Sequence, residues 1–263
     1  MKSKIISVSL VVLFCLSCNK SKPSGNFDPS FGSGTGANGI INAMVIQSDG
    51  KIIVAGNFTT FNGVSRENIA RLNSDGSLDE SFNPAAAATD DILEVLIQQD
   101  GKIIIADYTK GIVRMNTDGS LDTDFNLGGS GPLYSTIDAL ALQVDGKIVI
   151  GGAFYQYNDV TRNHIARLNS DGTLDTSFDP GTGFSWGAPS VKAIKIQDDG
   201  KILVGGLFSD FNGVDINDNL IRLNTDGSID PAFVLAGSIP WVFDIEILHN
   251  KITDSPAPYQ NVN

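Results

Sequence analysis

The sequence predicts an all-β repeat fold, and three observations carry that reading. One phrase is written four times: RLNSDGSLD from Arg71, RMNTDGSLD from Arg114, RLNSDGTLD from Arg167 and RLNTDGSID from Arg222. A second phrase precedes each copy: QSDGKIIVAG from Gln47, QQDGKIIIAD from Gln98, QVDGKIVIGG from Gln143 and QDDGKILVGG from Gln197. No segment sustains an apolar period of 3.6, so helices are not expected. The glycines of the first phrase, Gly76, Gly119, Gly172 and Gly227, stand 43, 53 and 55 residues apart. Self-similarity at such a period marks a repeat architecture. Short strands at even spacing with tight turns then point to a β-propeller of about five blades, the last one composite or incomplete, with an open arc as the alternative.

The elements follow in chain order. Residues 1–18 read as a leader: Lys2 and Lys4 give it a basic start, and residues 5–16 form its apolar run. Twelve residues are too few for the ~20 that span a bilayer, so a secretory signal is expected. Its Leu-Ser-Cys ending resembles a bacterial lipoprotein signal, which implies lipidation of Cys18 and a membrane partner through that anchor; Cys15 stands where that pattern usually has leucine. An ordinary cleaved leader is the alternative. Residues 19–26 are polar, with Pro and Gly, and read as a tether. No cysteine lies beyond Cys18, so the mature domain has no internal disulfide.

From residue 27 the repeats begin, and each unit reads as four short strands. Strand a is residues 41–47 in the first unit, with Ile41, Ala43 and Val45 facing one way. An Asp-Gly turn follows, at Gly50, Gly101, Gly146 and Gly200. Asp-Gly between apolar runs signals a two-residue hairpin in which both positions take φ > 0. Strand b is the continuous apolar run 52–55, repeated at 103–106, 148–150 and 202–204. Runs of this kind, rich in Val and Ile, belong to strands buried on both faces. Strand c is residues 68–72, and a second Asp-Gly turn, at Gly76, Gly119, Gly172 and Gly227, leads into strand d with its Asp-x-Ser-Phe pattern. The second unit has only 12 residues from Lys102 to Arg114 where the first has 20 from Lys51 to Arg71, so its b–c connection is a stub.

The combined pattern, DxSF followed by DGKI, ARLN and DGSLD, resembles the delta-60 repeat family of bacterial secreted proteins over nearly all of residues 27–252. The resemblance implies a propeller-like fold and extracytoplasmic use, with no general activity to carry over. An unpaired strand d at residues 28–31 and an a–b pair at 242–252 flank the four units, and joining them would close the fifth blade and protect both edges. Residues 253–263 are expected to be a disordered tail.

Charge and motifs narrow the function. The formal net charge is −12, and such a surface repels phosphate backbones, so no nucleic acid partner is expected. Asn73-x-Asp75-Gly76-x-x-Asp79 resembles half of a calcium loop, but Arg71 stands where the first carboxylate belongs. A guanidinium opposes a dication and pairs instead with the acid closing the turn, so no metal and no cofactor are expected. With two histidines, His164 and His249, and no nucleophile–base signature, no catalytic residues are assigned. His164 takes a position held by Asn68 and Asn219 elsewhere and reads as a variable loop residue.

The remaining signal is in the b–c and d–a connections, where the units differ. They hold the candidate binding residues Tyr134, Tyr155, Tyr157, Phe184, Trp186 and Trp241. Loops on a rigid scaffold carry function more often than the scaffold, and Trp and Tyr anchor interfaces; rings that only plug the loops are the alternative. The expectation is therefore a lipid-anchored binding or scaffold module of the cell envelope, at the outer membrane or cell surface, with a protein or glycan partner. A carbohydrate-active propeller enzyme and a truncated copy of a longer repeat protein are the alternatives.

Overall fold

The computed structural model describes residues 31–32, 34–84, 90–133, 136–185, 189–216, 219–235 and 241–247. Every regular element among them is a β-strand. Four three-stranded antiparallel sheets recur along the chain, each ordered inner, middle, outer. The first joins Ile40–Ile46, Ile52–Asn57 and Ile69–Leu72; the second joins Ile92–Ile97, Ile103–Asp107 and Gly111–Met115. The third joins Ile137–Leu142, Ile148–Gly152 and Ile165–Leu168; the fourth joins Ser190–Ile196, Ile202–Leu207 and Leu220–Leu223. Inner strands of successive sheets lie against one another, so the sheets are the blades of a propeller.

Burial explains the continuous apolar runs. Ile103 and Ile105 pack toward the first blade with Ile53 and Ala55, while Ile104 packs toward the third with Ile148 and Ile150. All three isoleucines are fully buried, which contributes roughly 2–3 kcal/mol apiece before entropy. A strand sandwiched between two blades has no solvent face, and its sequence has no polar alternation.

The turns differ from the sequence expectation in type. In the first a–b turn Gly50 N–H donates to Gln47 O at 2.9 Å, and Gln47 N–H donates to Lys51 O at 2.8 Å. Gly50 has φ +84°, and Asp49 is not among the positive-φ residues. This is a three-residue loop, a type I turn followed by a left-handed glycine, and only the glycine takes φ > 0. The two-residue primed turns occur elsewhere. Asn62-Gly63, Asn158-Asp159 and Asn212-Gly213 each have both residues at positive φ, and each closes a small hairpin inside the b–c connection of blades one, three and four. Blade two lacks it, because its b–c connection is the bare turn between Asp107 and Gly111.

Strand d is also corrected. Residues 78–82 make a single bridge, Leu78 to Leu72, rather than a fourth ladder. Asp79 accepts from Ser81 N–H and Oγ through its Oδ1, and Phe82 N–H reaches Asp79 O. A short polar side chain bonding two residues ahead folds the chain into a turn, so Asp-x-Ser-Phe ends the blade. The chain then crosses to the next blade's c–d turn, where Asn83 N–H donates to Asp118 O at 2.9 Å. In blades three and four the incoming strap climbs on to the b–c hairpin and pairs with it.

The ends are not closed among the described residues. Residues 242–247 lie on the fourth blade as an irregular segment: Val242 and Ile245 pack on Ala193, Leu203 and Leu220, and Val242 N–H donates to Gly206 O. Gly205 makes room for Val242, since a Cβ there would overlap its side chain. Among the described residues no sheet ties this segment to the first blade, and the composite fifth blade is represented by this one segment. At the other end Gly32 N–H donates to Asp75 O at 2.7 Å, seating the chain on the first blade's own c–d turn. Residues 27–30 and 248–252 of the proposed closure lie outside the described residues.

Candidate functional site

Each blade carries one buried clasp built from the repeated phrases. In the first, Asp79 Oδ2 accepts from Lys51 Nζ at 2.7 Å and Arg71 Nε at 2.8 Å, and the guanidinium lies 4.7 Å from the Phe82 ring centre. Asp122, Asp175 and Asp230 repeat it with Lys102 and Arg114, Lys147 and Arg167, and Lys201 and Arg222. Burial opposes ionisation of Asp79, but hydrogen bonds from Lys51, Ser81 and Arg71 outweigh it and hold the carboxyl well below the usual range. Asp230, held chiefly by Lys201, is lowered to about 2. Every carboxylate is satisfied within its own blade, so the acids of this motif act as structural anchors.

The candidate binding residues separate by burial. Tyr157 is fully buried and donates its hydroxyl to Gly172 O at 2.7 Å; burial pushes its hydroxyl pKa up. Phe184 is buried against Phe208 and Phe211, with ring centres 4.2 and 4.9 Å away. Both are buried because the b–c hairpins and straps fold back onto the blades and need apolar fillers. Tyr155 is 48% exposed and Trp241 66% exposed. Tyr134 and Trp186 lie outside the described residues.

Two further findings change the sequence picture. His164 is a buried residue at φ +70° whose imidazole meets the Tyr155 ring edge-on at 4.9 Å. Burial lowers its pKa and favours the neutral form. Asn68, at the matching place in blade one, also sits at positive φ, which is why His and Asn alternate there. Sequence reasoning also missed exposed Tyr108, Leu127 and Phe243. Aligning the units could have found Phe243, because it occupies the place of Asn42, Asp138 and Lys192. Of these, Asp138 and Lys192 form a 2.7 Å ion pair between blades three and four.

Near the inner strands of blades two and four stand Glu94, Lys195 and Asp244. Burial raises the Glu94 pKa, Lys195 lowers it and Asp244 raises it. Among the described residues no group of three or more His, Cys, Asp and Glu is placed to hold a metal ion.

The blades, clasps and crossing straps define a β-propeller repeat protein. Residues 47–82, 98–125, 143–178 and 197–233 match the family described as domain of unknown function (DUF5122) beta-propeller. The matches cover more than half of the chain, and the chain belongs to that family. No curated protein matches it. Among solved structures it is similar to the extracellular domain of the one-component system BT4673 from B. thetaiotaomicron, at 14% identity and TM-score 0.47 over 85% of this chain and 25% of that one. It is also similar to virginiamycin B lyase from Staphylococcus aureus, at 16% identity and TM-score 0.48 over 72% of this chain and 54% of the lyase. The WD40 β-propeller domain of Doa1 has 18% identity and TM-score 0.45, over 70% of this chain and 50% of that domain. The chain thus spans a quarter of the BT4673 domain and about half of the other two.

Proposed function

We propose that this propeller is a binding or scaffold module of the delta-60 type, acting outside the cytoplasm and tethered by a lipid on Cys18. Residues 1–18 would be the signal, 19–26 the tether, 27–252 the repeat domain and 253–263 a tail. The partner is a protein or glycan engaged through the connections that differ between units. One observation carries the reading: Tyr108, Tyr155, Trp241 and Phe243 are between 48% and 66% exposed in or beside those connections, while the scaffold beneath is fully packed. Exposed aromatics on a rigid frame lose little side-chain entropy on binding and make effective anchors.

The test uses the purified chain against a panel of immobilised envelope glycans and envelope proteins. Trp241→Ala and Tyr155→Ala should each weaken capture of the cognate partner about tenfold or more, roughly 1.4 kcal/mol, with an unchanged melting temperature. Capture indifferent to both substitutions contradicts the reading. The anchor is checked separately by mass spectrometry: the mature N-terminus should be a diacylated or triacylated Cys18, and an unmodified N-terminus refutes it.

A further inference from the structure

Three of the four repeat arginines make the same contact with the blade that follows. Arg71 Nη1 donates to Thr117 O, Arg114 Nη1 to Ser170 O and Arg167 Nη1 to Thr225 O, at 2.5 to 2.7 Å. The acceptor is each time the second residue of an Asn-(Ser/Thr)-Asp-Gly turn. The glycine of that turn lies against the phenylalanine of the preceding blade: Gly119 on Phe82, Gly172 on Phe125, Gly227 on Phe178. A main-chain bond completes the seat, from Asn83 to Asp118, Asn126 to Asp171 and Asp179 to Asp226. The apolar residue before the turn, Met115, Leu168 or Leu223, enters the core shared with the preceding blade.

Blade four presents the same seat at the end of the described array. Arg222 keeps its clasp to Asp230 and its place 5.0 Å from the Phe233 ring centre. Its side chain, however, is 20% exposed, against 8–9% for Arg71, Arg114 and Arg167. Val234, which matches the strap residue that bonds the incoming turn, is 82% exposed. Beside them lies a cavity of about 170 Å³, walled by Ile216, Leu220, Ile221, Phe233 and Leu235. It is smaller than the ~300–1,000 Å³ of pockets that enclose drug-sized ligands. Val242 and Ile245 share one apolar cluster with Ala193, Leu203 and Leu220, against which Phe233 and Leu235 also pack, and the cavity adjoins that cluster.

We propose that this seat binds a β-turn of the type apolar-Asn-(Ser/Thr)-Asp-Gly carried by a partner polypeptide. Arg222 donates to the carbonyl of the turn's Ser or Thr, and Val234 N–H donates to the carbonyl of its Asp. The turn glycine rests on Phe233, where any Cβ would collide, and the apolar residue enters the cavity. Every turn of this kind among the described residues is already engaged. Gly119, Gly172 and Gly227 sit on the preceding blades, and Gly76 is covered by Phe31 and Gly32. The site borrows Ile216 and Leu235 from the connections of blade four, but it does not rest on the role proposed for the exposed rings.

The probe is a disulfide-cyclised peptide containing Arg-Leu-Asn-Ser-Asp-Gly-Ser-Leu-Asp, because an isolated hairpin is marginally stable and cyclisation preorganises it. Calorimetric titration into the full chain should show saturable 1:1 binding. Val234→Arg should weaken it at least tenfold; Val234 is exposed, so that variant keeps the fold even where Arg222→Gln loosens its own blade. A peptide with valine in place of the turn glycine should not bind. Absence of binding, or equal affinity for the Val234→Arg chain or for the valine peptide, overturns the proposal. So does concentration-dependent self-association that Val234→Arg abolishes, since the occupant would then be a second copy.

Discussion

Asp79, Asp122, Asp175 and Asp230 show why one phrase is written four times. Each joins a lysine from the a–b turn to an arginine from the outer strand, and the arginines of blades one to three reach the next turn. Asp175→Asn leaves Arg167 buried with its charge uncompensated, and breaking such a pair costs about 3 kcal/mol; urea denaturation should show that loss. The folded pKa values of these acids lie below the unfolded value of about 3.9. Their contribution is therefore complete above pH ~4 and is lost as pH falls through the folded values, about 2 for Asp230. The denaturation midpoint should drop between pH 5 and pH 2, and Asp175→Asn should drop less. The pairing of arginine with the turn acid was legible from their fixed spacing. The reach to the next blade was not, because Thr117 lies 46 residues from Arg71 and only packing brings them together.

At the level of elements, the middle strands were legible and the fourth strand was not. Residues 103–106 are apolar throughout because both neighbouring blades cover them. Asp-x-Ser-Phe, in contrast, looks like a strand end in sequence because Phe82 is apolar, yet the Asp79 side chain competes for the backbone and makes a turn. The burial of Tyr157 and Phe184 was hidden for a similar reason: a ring in a connection reads as exposed until the hairpin's fold-back is known. The two glycine classes also separate. Gly146 has φ +83° with nothing nearer than Ser170 Cβ at 3.7 Å, whereas a Cβ on Gly172, φ +88°, would sit 2.8 Å from the Phe125 ring. Gly146→Val should cost more than ~1 kcal/mol through backbone strain alone. Gly172→Val should cost clearly more, since it also separates blades two and three. Equal midpoints for the two variants in denaturant would contradict this division.

For the whole molecule, the two ends differ. On the fourth blade, residues 242–247 direct Val242 and Ile245 inward and carry Asp244 and Glu246, at places that hold Ala43 and Val45 in the first blade. On the first blade Met44 and Ile46 are 66% and 70% exposed, while Ile194, the match of Met44 in blade four, is 4% exposed. Met44→Lys should change stability by less than ~0.5 kcal/mol, and Ile194→Lys should unfold its blade, with circular dichroism as the readout. The repeat count was legible from the phrases, but whether the ends meet depends on contacts no phrase encodes. Hydrogen exchange on a chain lacking residues 241–263 tests the open array most directly. Loss of protection confined to the fourth blade, around Leu203 and Gly205, is the expected result. Loss of protection at Val54 and Ala70 in the first blade would show that the ring closes through its ends.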